Sequence, residues 1–278
     1  MNTVELTAVV MLGGLLAGFV GALTGLGGGV VVVPLLTLGL GVDIRYAIGA
    51  ALVSVIATSS GAAAAYVREG YSNIRVGMCL EIATTVGALV GVVAALYLGV
   101  SVISVIFGLV LIYSAYASLR QSPRPTENLG PDRLAVWLRM DSSYPTTNGL
   151  EQYHVRGVPL GFALMFVAGV LSGLLGIGSG AVKVLAMDKA MKLPFKVSTT
   201  TSNFMIGVTA AASAGIYLSR GYIDPGLAMP VMLGVLSGSL AGARVLAGAN
   251  VRVLHLVFSV VIACLAIEMI YNGFTGRL

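Results

Sequence analysis

The stretch GALTGLGGGVVVVPLL, Gly21 to Leu36, decides how this chain is read. It lies inside an uncharged run from Leu6 to Val42 that is apolar enough for lipid, yet it carries Gly25, Gly27, Gly28 and Gly29 in its middle and Pro34 in its second half. Glycine weakens a helix through backbone entropy, and proline removes a donor and clashes with the preceding turn. A long apolar helix is therefore expected to stop and restart here.

The surrounding chain explains why a break is tolerated. Of 278 residues, 57% are hydrophobic and 10% charged, and the mean hydropathy is +0.96. A water-soluble fold of this size has too little interior for so much apolar surface, so most of the chain belongs in a bilayer. Apolar segments near the roughly 20 residues needed to cross a membrane run over 47–66, 76–98, 99–119, 158–175, 197–218, 226–243 and 253–272. The first apolar segment, Val4 to Phe19, lacks the positive flank and cleavage pattern of a signal peptide and reads as retained structure. The formal charge of +5 reads as basic loops facing anionic lipid and not as a nucleic-acid surface. Cys79 and Cys264 have no nearby Cys or His and read as buried small hydrophobes.

The break occurs twice. At an offset of 151 residues, AGFVGALTGLGGG (Ala17 to Gly29) aligns with AGVLSGLLGIGSG (Ala168 to Gly180). The same offset pairs Tyr66 to Tyr71 with Tyr217 to Tyr222, and Gly87 and Gly91 with Gly238 and Gly242. The chain thus reads as two copies of one unit, 1–119 and 157–278, joined by a polar cytoplasmic linker over 120–156. Each copy is expected to hold a glycine-broken helix pair followed by three transmembrane helices, in an all-α polytopic membrane protein. The broken pair enters and leaves on one face, so three further crossings invert the second copy relative to the first. Inversion gathers Arg68, Arg75, Arg120, Arg124, Arg133, Arg139, Arg156, Lys183, Lys189, Lys192, Lys196, Arg244 and Arg252 on one face, 13 of the 16 basic residues. A parallel arrangement would divide them almost evenly. The positive-inside rule makes the crowded face cytoplasmic, with both termini outside.

Inverted repeats with interrupted hydrophobic segments in matching places are the sequence pointer to a secondary transporter site near the bilayer midplane. A stopped helix leaves unpaired N–H groups and a positive dipole end, which in low dielectric can hold an anion. Glycines can instead simply permit close helix crossing. The run Ser198 to Asn203 adds hydroxyl and amide groups at the start of the next span of the second copy. Such groups can ligate an oxyanion without adding charge, or bond back to their own helix. Glu81 and Glu268 lie within spans and are placed to carry a coupling proton. Alternatively, Glu81 pairs with Arg75 and Glu268 snorkels from near its span's end. Lys183 follows the second break and either attracts an anion or serves as an ordinary cytoplasmic lysine. His154 and His255 form no metal pattern, and no nucleotide loop, zinc motif or nucleophile elbow is present. The chain therefore calls for no cofactor or resident metal.

The sequence resembles the sulfite exporter TauE/SafE family over almost its whole length. TGLGGGVVVVPLL resembles the first family motif, SGLLGIGSGAVKVLAM the second, and STTTSNFMIGVTAAASAGIYLSRGYIDPGLAMPVMLG the middle of the second half. The resemblance implies an inner-membrane permease for small sulfur-containing anions, such as sulfite, sulfoacetate and other products of taurine and sulfonate catabolism. The motif residues it carries over are Gly25, Gly27, Gly28, Gly29 and Pro34, and Gly176, Gly178, Gly180, Thr201, Ser202 and Asn203, of which all but Pro34 are expected to bind substrate. Ser179 and Leu185 depart from the second motif, which usually reads GIGGG and continues toward a proline. Ser179 then either adds a ligand or fills space. The expected function is export of a sulfur-containing anion by a secondary transporter. An anion channel sharing the site, or a membrane enzyme acting on a sulfur compound, are the alternatives.

Overall fold

Long apolar runs bounded by Gly, Asn and Pro fold into helices because a backbone in lipid must satisfy its own hydrogen bonds. The structure is a computed structural model that describes residues 3–24, 28–68, 70–119, 132–146, 149–246 and 251–276. Helix α1 (Thr3–Thr24) precedes the first glycine break; α2 (Gly29–Pro34) follows it and runs into a π-helical turn, Leu35–Gly39. Then come α3 (Ile44–Arg68), α4 (Ile74–Tyr97) and α5 (Val100–Leu119). A short α6 (Arg133–Trp137) and the strands β1 (Ser142–Thr146) and β2 (Gly149–Tyr153) lead to the second half. There α7 (Val158–Leu175), α8 (Gly180–Leu185), a second π-helical turn (Ala186–Ala190), α9 (Phe195–Ser219), α10 (Pro225–Leu246) and α11 (Val251–Thr275) follow in order.

Adding 151 to the bounds of α2, its π-helical turn and α3 returns the bounds of α8, the second turn and α9. Left-handed residues recur at the same offset: Gly41 (φ 65°) with Lys192 (φ 59°), and Gly70 with Gly221 (both φ 76°). The π-helical turn forms after Pro34 in one half and after Leu185 in the other. Proline is therefore not its cause.

Helix α4 shows why these helices belong in lipid. One face, with Val76, Leu80, Ala83, Gly87, Gly91, Val92 and Ala95, is buried in the protein. The opposite face carries Met78, Ile82, Val86 and Val90, all exposed. A helix apolar on both its packed and its open sides has a hydrocarbon neighbour. Among the described residues, three helices are long and apolar enough to cross a membrane, Ile74–Tyr97, Val158–Leu175 and Pro225–Gly242, and shorter apolar helices accompany them. The protein is a multi-pass helical membrane protein.

Packing pairs the two halves helix by helix. α1 lies on α10 and α4 on α7, while α3 meets α9 and α5 meets α11. In α1 and α10, Gly14 faces Val231 and Gly18 faces Val235, so these helices run parallel. In α4 and α7, Gly169 faces Thr84 and Gly173 faces Ala88, which is again parallel. Between α5 and α11 the order reverses: Gly273 faces Ser101, Gly108 faces Ala266, and Ser259 Oγ donates to the Ala115 carbonyl at 3.3 Å. α3 and α9 are antiparallel too, with Gly49 against Tyr222 and Ser59 against Gly207.

The connections sort into two ends. At one, Arg45 Nη2 donates to the Leu98 carbonyl (2.9 Å) and lies over the Tyr222 ring. At the other, Asn73 Nδ2 donates to the Met140 carbonyl and to Tyr153 Oη, both at 2.8 Å, and the Asn73 N–H donates to Thr201 Oγ1 at 3.0 Å. Burial pushes the Tyr153 phenol above its usual pKa.

Within 120–156, the described residues add α6 and a small antiparallel hairpin to an otherwise helical membrane protein. Ala135, Met140, Tyr153 and Val155 are buried against Val76, Leu80 and Met191, which anchors this polar segment by a small apolar face. The cysteines are not both buried: Cys79 is half-buried and Cys264 exposed, as befits a thiol on an open helix face.

Candidate functional site

The second break is built from left-handed backbone. Gly176 (φ 68°), Gly178 (φ 70°) and Ser179 (φ 48°) turn the chain between α7 and α8. Gly176 ends α7 as its cap, its N–H donating to the Ser172 carbonyl at 2.8 Å. Ser179 is the surprise, because a side chain disfavours this conformation. It is buried, and its Oγ has no hydrogen-bond partner. Of the first break, Gly25 and Gly27 lie outside the described residues, whereas Gly28 and Gly29 start α2.

The two breaks touch. A Cβ on Gly29 would stand 3.2 Å from the Gly176 carbonyl oxygen, 3.6 Å from Ile177 Cα and 2.8 Å from Val55 Cγ2. A Cβ on Gly178 would stand 2.8 Å from Ile206 Cγ2 and 3.5 Å from Val55 Cγ1. Val55 and Ile206 are equivalent residues of α3 and α9 at the 151-residue offset. Each half thus sends one aliphatic side chain to the junction of the breaks.

The other glycines do a different job. Any side chain on Gly87, Gly91, Gly169 or Gly173 would run into backbone across the α4–α7 interface, and the same holds for Gly14, Gly18, Gly234 and Gly238 between α1 and α10. These are close-packing positions, the role small residues play in membrane helix pairs.

The polar run on α9 divides. Ser202 Oγ points at the Gly180 carbonyl (3.4 Å), which places it beside the second break. Thr201 Oγ1 accepts from the Asn73 N–H and so joins α9 to the start of α4. Asn203 is half-buried one residue beyond Ser202. Ser198 is fully buried with an unpartnered Oγ.

Glu81 and Lys183 come together although they belong to different halves. Lys183 is completely buried, and its Nζ donates to Thr209 Oγ1 at 2.7 Å. Thr209 Oγ1 lies 2.7 Å from Glu81 Oε1, to which it donates, with the Met205 carbonyl as a second acceptor at 2.9 Å. Thr85 Oγ1 also donates to Oε1, at 3.1 Å. Glu81 Oε2 is buried with no partner. Arg75 is not Glu81's counterion; its Nη1 donates to the Arg139 carbonyl at 2.9 Å. Glu268, the other acidic candidate, is exposed. Thr209 is the residue that sequence reasoning passes over. Its only signal is that its repeat equivalent is also a threonine, Thr58.

Comparison with known proteins finds relatives named as membrane transporters. The chain is 27% identical over 267 residues to a protein named probable membrane transporter protein YunE from Bacillus subtilis (strain 168), covering 94% of this chain and 96% of that one. It is 27% identical over 237 residues to the probable membrane transporter protein YdhB of the same organism, covering 85% and 87%. A probable membrane transporter protein of Xylella fastidiosa (strain 9a5c) is 24% identical over 279 residues, covering 99% and 98%. No solved structure matches the chain. The model of the family described as sulfite exporter TauE/SafE matches residues 10–269, and the chain, a multi-pass protein of membrane transport, belongs to that family.

Proposed function

We propose that the protein is a secondary transporter that exports a small sulfur-containing anion, sulfite or an organosulfonate, across the cytoplasmic membrane. The observation that carries this reading is the contact of the two glycine breaks, Gly29 against Gly176, with one equivalent side chain from each half beside them. Irregular backbone at membrane depth is tolerated where protein or a watery cavity surrounds it, and it is there that transporters bind substrate. The family description supplies the substrate class, and the relatives carry the names of transporters and not of enzymes.

In this reading residues 1–119 and 157–278 are inverted repeats. Supporting it, the equivalent helices α3 and α9 run antiparallel, as do α5 and α11, and the loops at 70–73 and 221–224 lie at opposite ends. Substrate is held at Gly25, Gly27, Gly28 and Gly29 of one break and at Gly176, Gly178, Ser179 and Gly180 of the other. Ser202 and Asn203 add polar lining, and Thr201 joins their helix to the start of α4. Lys183 supplies the positive charge. Alternating access rocks one repeat-derived bundle against the other around this junction.

The test is flux from liposomes holding the purified protein and loaded with sulfite, with sulfate, thiosulfate, sulfoacetate and taurine as competitors. A transporter gives saturable efflux that sulfur anions inhibit. Single-channel current steps would make it a channel, and chemical change of the substrate would make it an enzyme.

A further inference from the structure

The buried charges break the symmetry of the repeat. At the 151-residue offset, Lys183 corresponds to Val32 and Glu81 to Met232, whereas Thr209 corresponds to Thr58. The equivalent set, Val32, Met232 and Thr58, therefore keeps the hydroxyl without either charge, and Thr58 Oγ1 bonds back to its own helix at the Ser54 carbonyl, 3.0 Å away. Two charges present in only one of two equivalent sets are not required by the packing that both halves share. Ionisable groups inside a membrane are costly and mark ion pathways.

The pair is also incompletely satisfied. An ammonium has three donors, and Lys183 Nζ uses one on Thr209. Glu81 Oε1 receives Thr209 and Thr85 while Oε2, buried, receives nothing. No other charged group among the described residues faces them. α5 and α7 carry no ionisable charge. Lys196 of α9 sits over the Tyr71 ring at 3.8 Å, Asp188 and Lys189 of the π-helical turn pair with each other at 3.8 Å, and Arg75 of α4 is held by Arg139. The carboxylate is thus the single acid that opposes Lys183.

We propose that Glu81–Thr209–Lys183 is a proton-coupling site, in which Glu81 competes with the transported anion for Lys183 and one proton crosses with each anion. This rests on the anion-transport reading above. With the site empty, ionised Glu81 balances Lys183 through the Thr209 hydroxyl. An arriving anion cannot share Lys183 with a carboxylate a single hydroxyl away, because like charges in low dielectric repel strongly. Glu81 takes a proton that enters from the loading side, Oε2 being the oxygen without a hydrogen-bond partner. The proton returns to solvent on the other side when the anion leaves and the carboxylate recovers its cation. Thr209 holds the two groups in line and is a positioning residue.

The test uses the full chain in liposomes loaded with methanesulfonate, whose single charge does not change with pH, together with a trapped pH indicator and a potential clamped at zero. As the anion leaves, the lumen of wild-type vesicles is expected to become alkaline by one proton per anion. Glu81→Gln should still carry the anion while alkalinisation falls to the protein-free leak, and Glu81→Asp should restore coupling. Lys183→Met should lose anion efflux at least tenfold. Thermal melting and gel filtration establish that each variant is folded; should Glu81→Gln fail to fold, the wild-type proton-to-anion ratio decides alone. Wild-type efflux without alkalinisation, or Glu81→Gln retaining one proton per anion, overturns the proposal and leaves the transport reading standing. Normal coupled flux in the double variant Glu81→Gln/Lys183→Met also overturns it, since the pair would then be a structural bond. If methanesulfonate, sulfite and sulfoacetate all fail to leave wild-type vesicles, the transport reading falls and this inference with it.

Discussion

Gly29 of the first half lies with its Cα against the backbone of Gly176 in the second, so closely that an added Cβ would stand 3.2 Å from the Gly176 carbonyl oxygen. Glycine-broken helices from the two halves of the chain therefore meet directly. An alanine at position 29 must also displace Val55 Cγ2, only 2.8 Å from the new atom. Such overpacking costs about 1–3 kcal/mol. Gly29→Ala is expected to insert and fold with a lowered melting temperature and to lose most sulfite flux; flux at wild-type level in the folded variant would detach the junction from transport.

Ser179 holds a left-handed backbone at φ 48° with its Oγ unpartnered. Glycine there relieves a conformational cost of about 1–2 kcal/mol. Ser179→Gly should raise the melting temperature and, if the hydroxyl donates to the bound anion, raise KM about fivefold, the worth of one net hydrogen bond. A higher melting temperature with unchanged KM would reduce Ser179 to filling space.

The close-packing glycines make a separate prediction. Gly173→Val places side-chain atoms in the Ala88 backbone across the α4–α7 interface, so folded protein should be lost, as read by gel filtration of the detergent extract. Gly215→Ala is the control: it is exposed on α9 with nothing within 4 Å, and should stabilise by about 0.5–1 kcal/mol.

Thr201 joins the halves through the Asn73 N–H at 3.0 Å. Thr201→Val leaves that buried donor without its acceptor, at a cost of about 1–3 kcal/mol. The melting temperature should fall while the KM for sulfite stays unchanged. A KM change without loss of stability would make Thr201 a ligand instead of a joint.

Much of the fold is legible in the sequence because hydropathy fixes where helices lie in lipid, and the 151-residue offset carries from the residues into the helix bounds. The hairpin is less visible. Asn148-Gly149 is a hairpin signal, but it sits in a polar segment whose few apolar residues gain their meaning only by packing on α4 and the second π-helical turn. The site is legible in part. The broken segments announce themselves, whereas the partnership of Glu81, Thr209 and Lys183 depends on how α4, α8 and α9 pack, and no local pattern encodes it. Arg75, close in sequence to Glu81, is a false lead for the same reason: it turns outward to Arg139. Glycine identity alone also conceals two roles, since Gly29 and Gly91 look alike in sequence but one sits at the junction of the breaks and the other at a helix crossing.

The most direct measurement is sulfite efflux from proteoliposomes under an imposed potential, at a pH where sulfite is dianionic, with protein-free vesicles beside them. Each net negative charge moved outward gains about 2.3 kcal/mol per 100 mV of inside-negative potential. A dianion accompanied by one proton still carries one such charge. The account predicts saturable efflux that quickens as the interior is made negative, and efflux of sulfite, sulfoacetate and methanesulfonate alike no faster than from protein-free vesicles, with the protein folded, would contradict it.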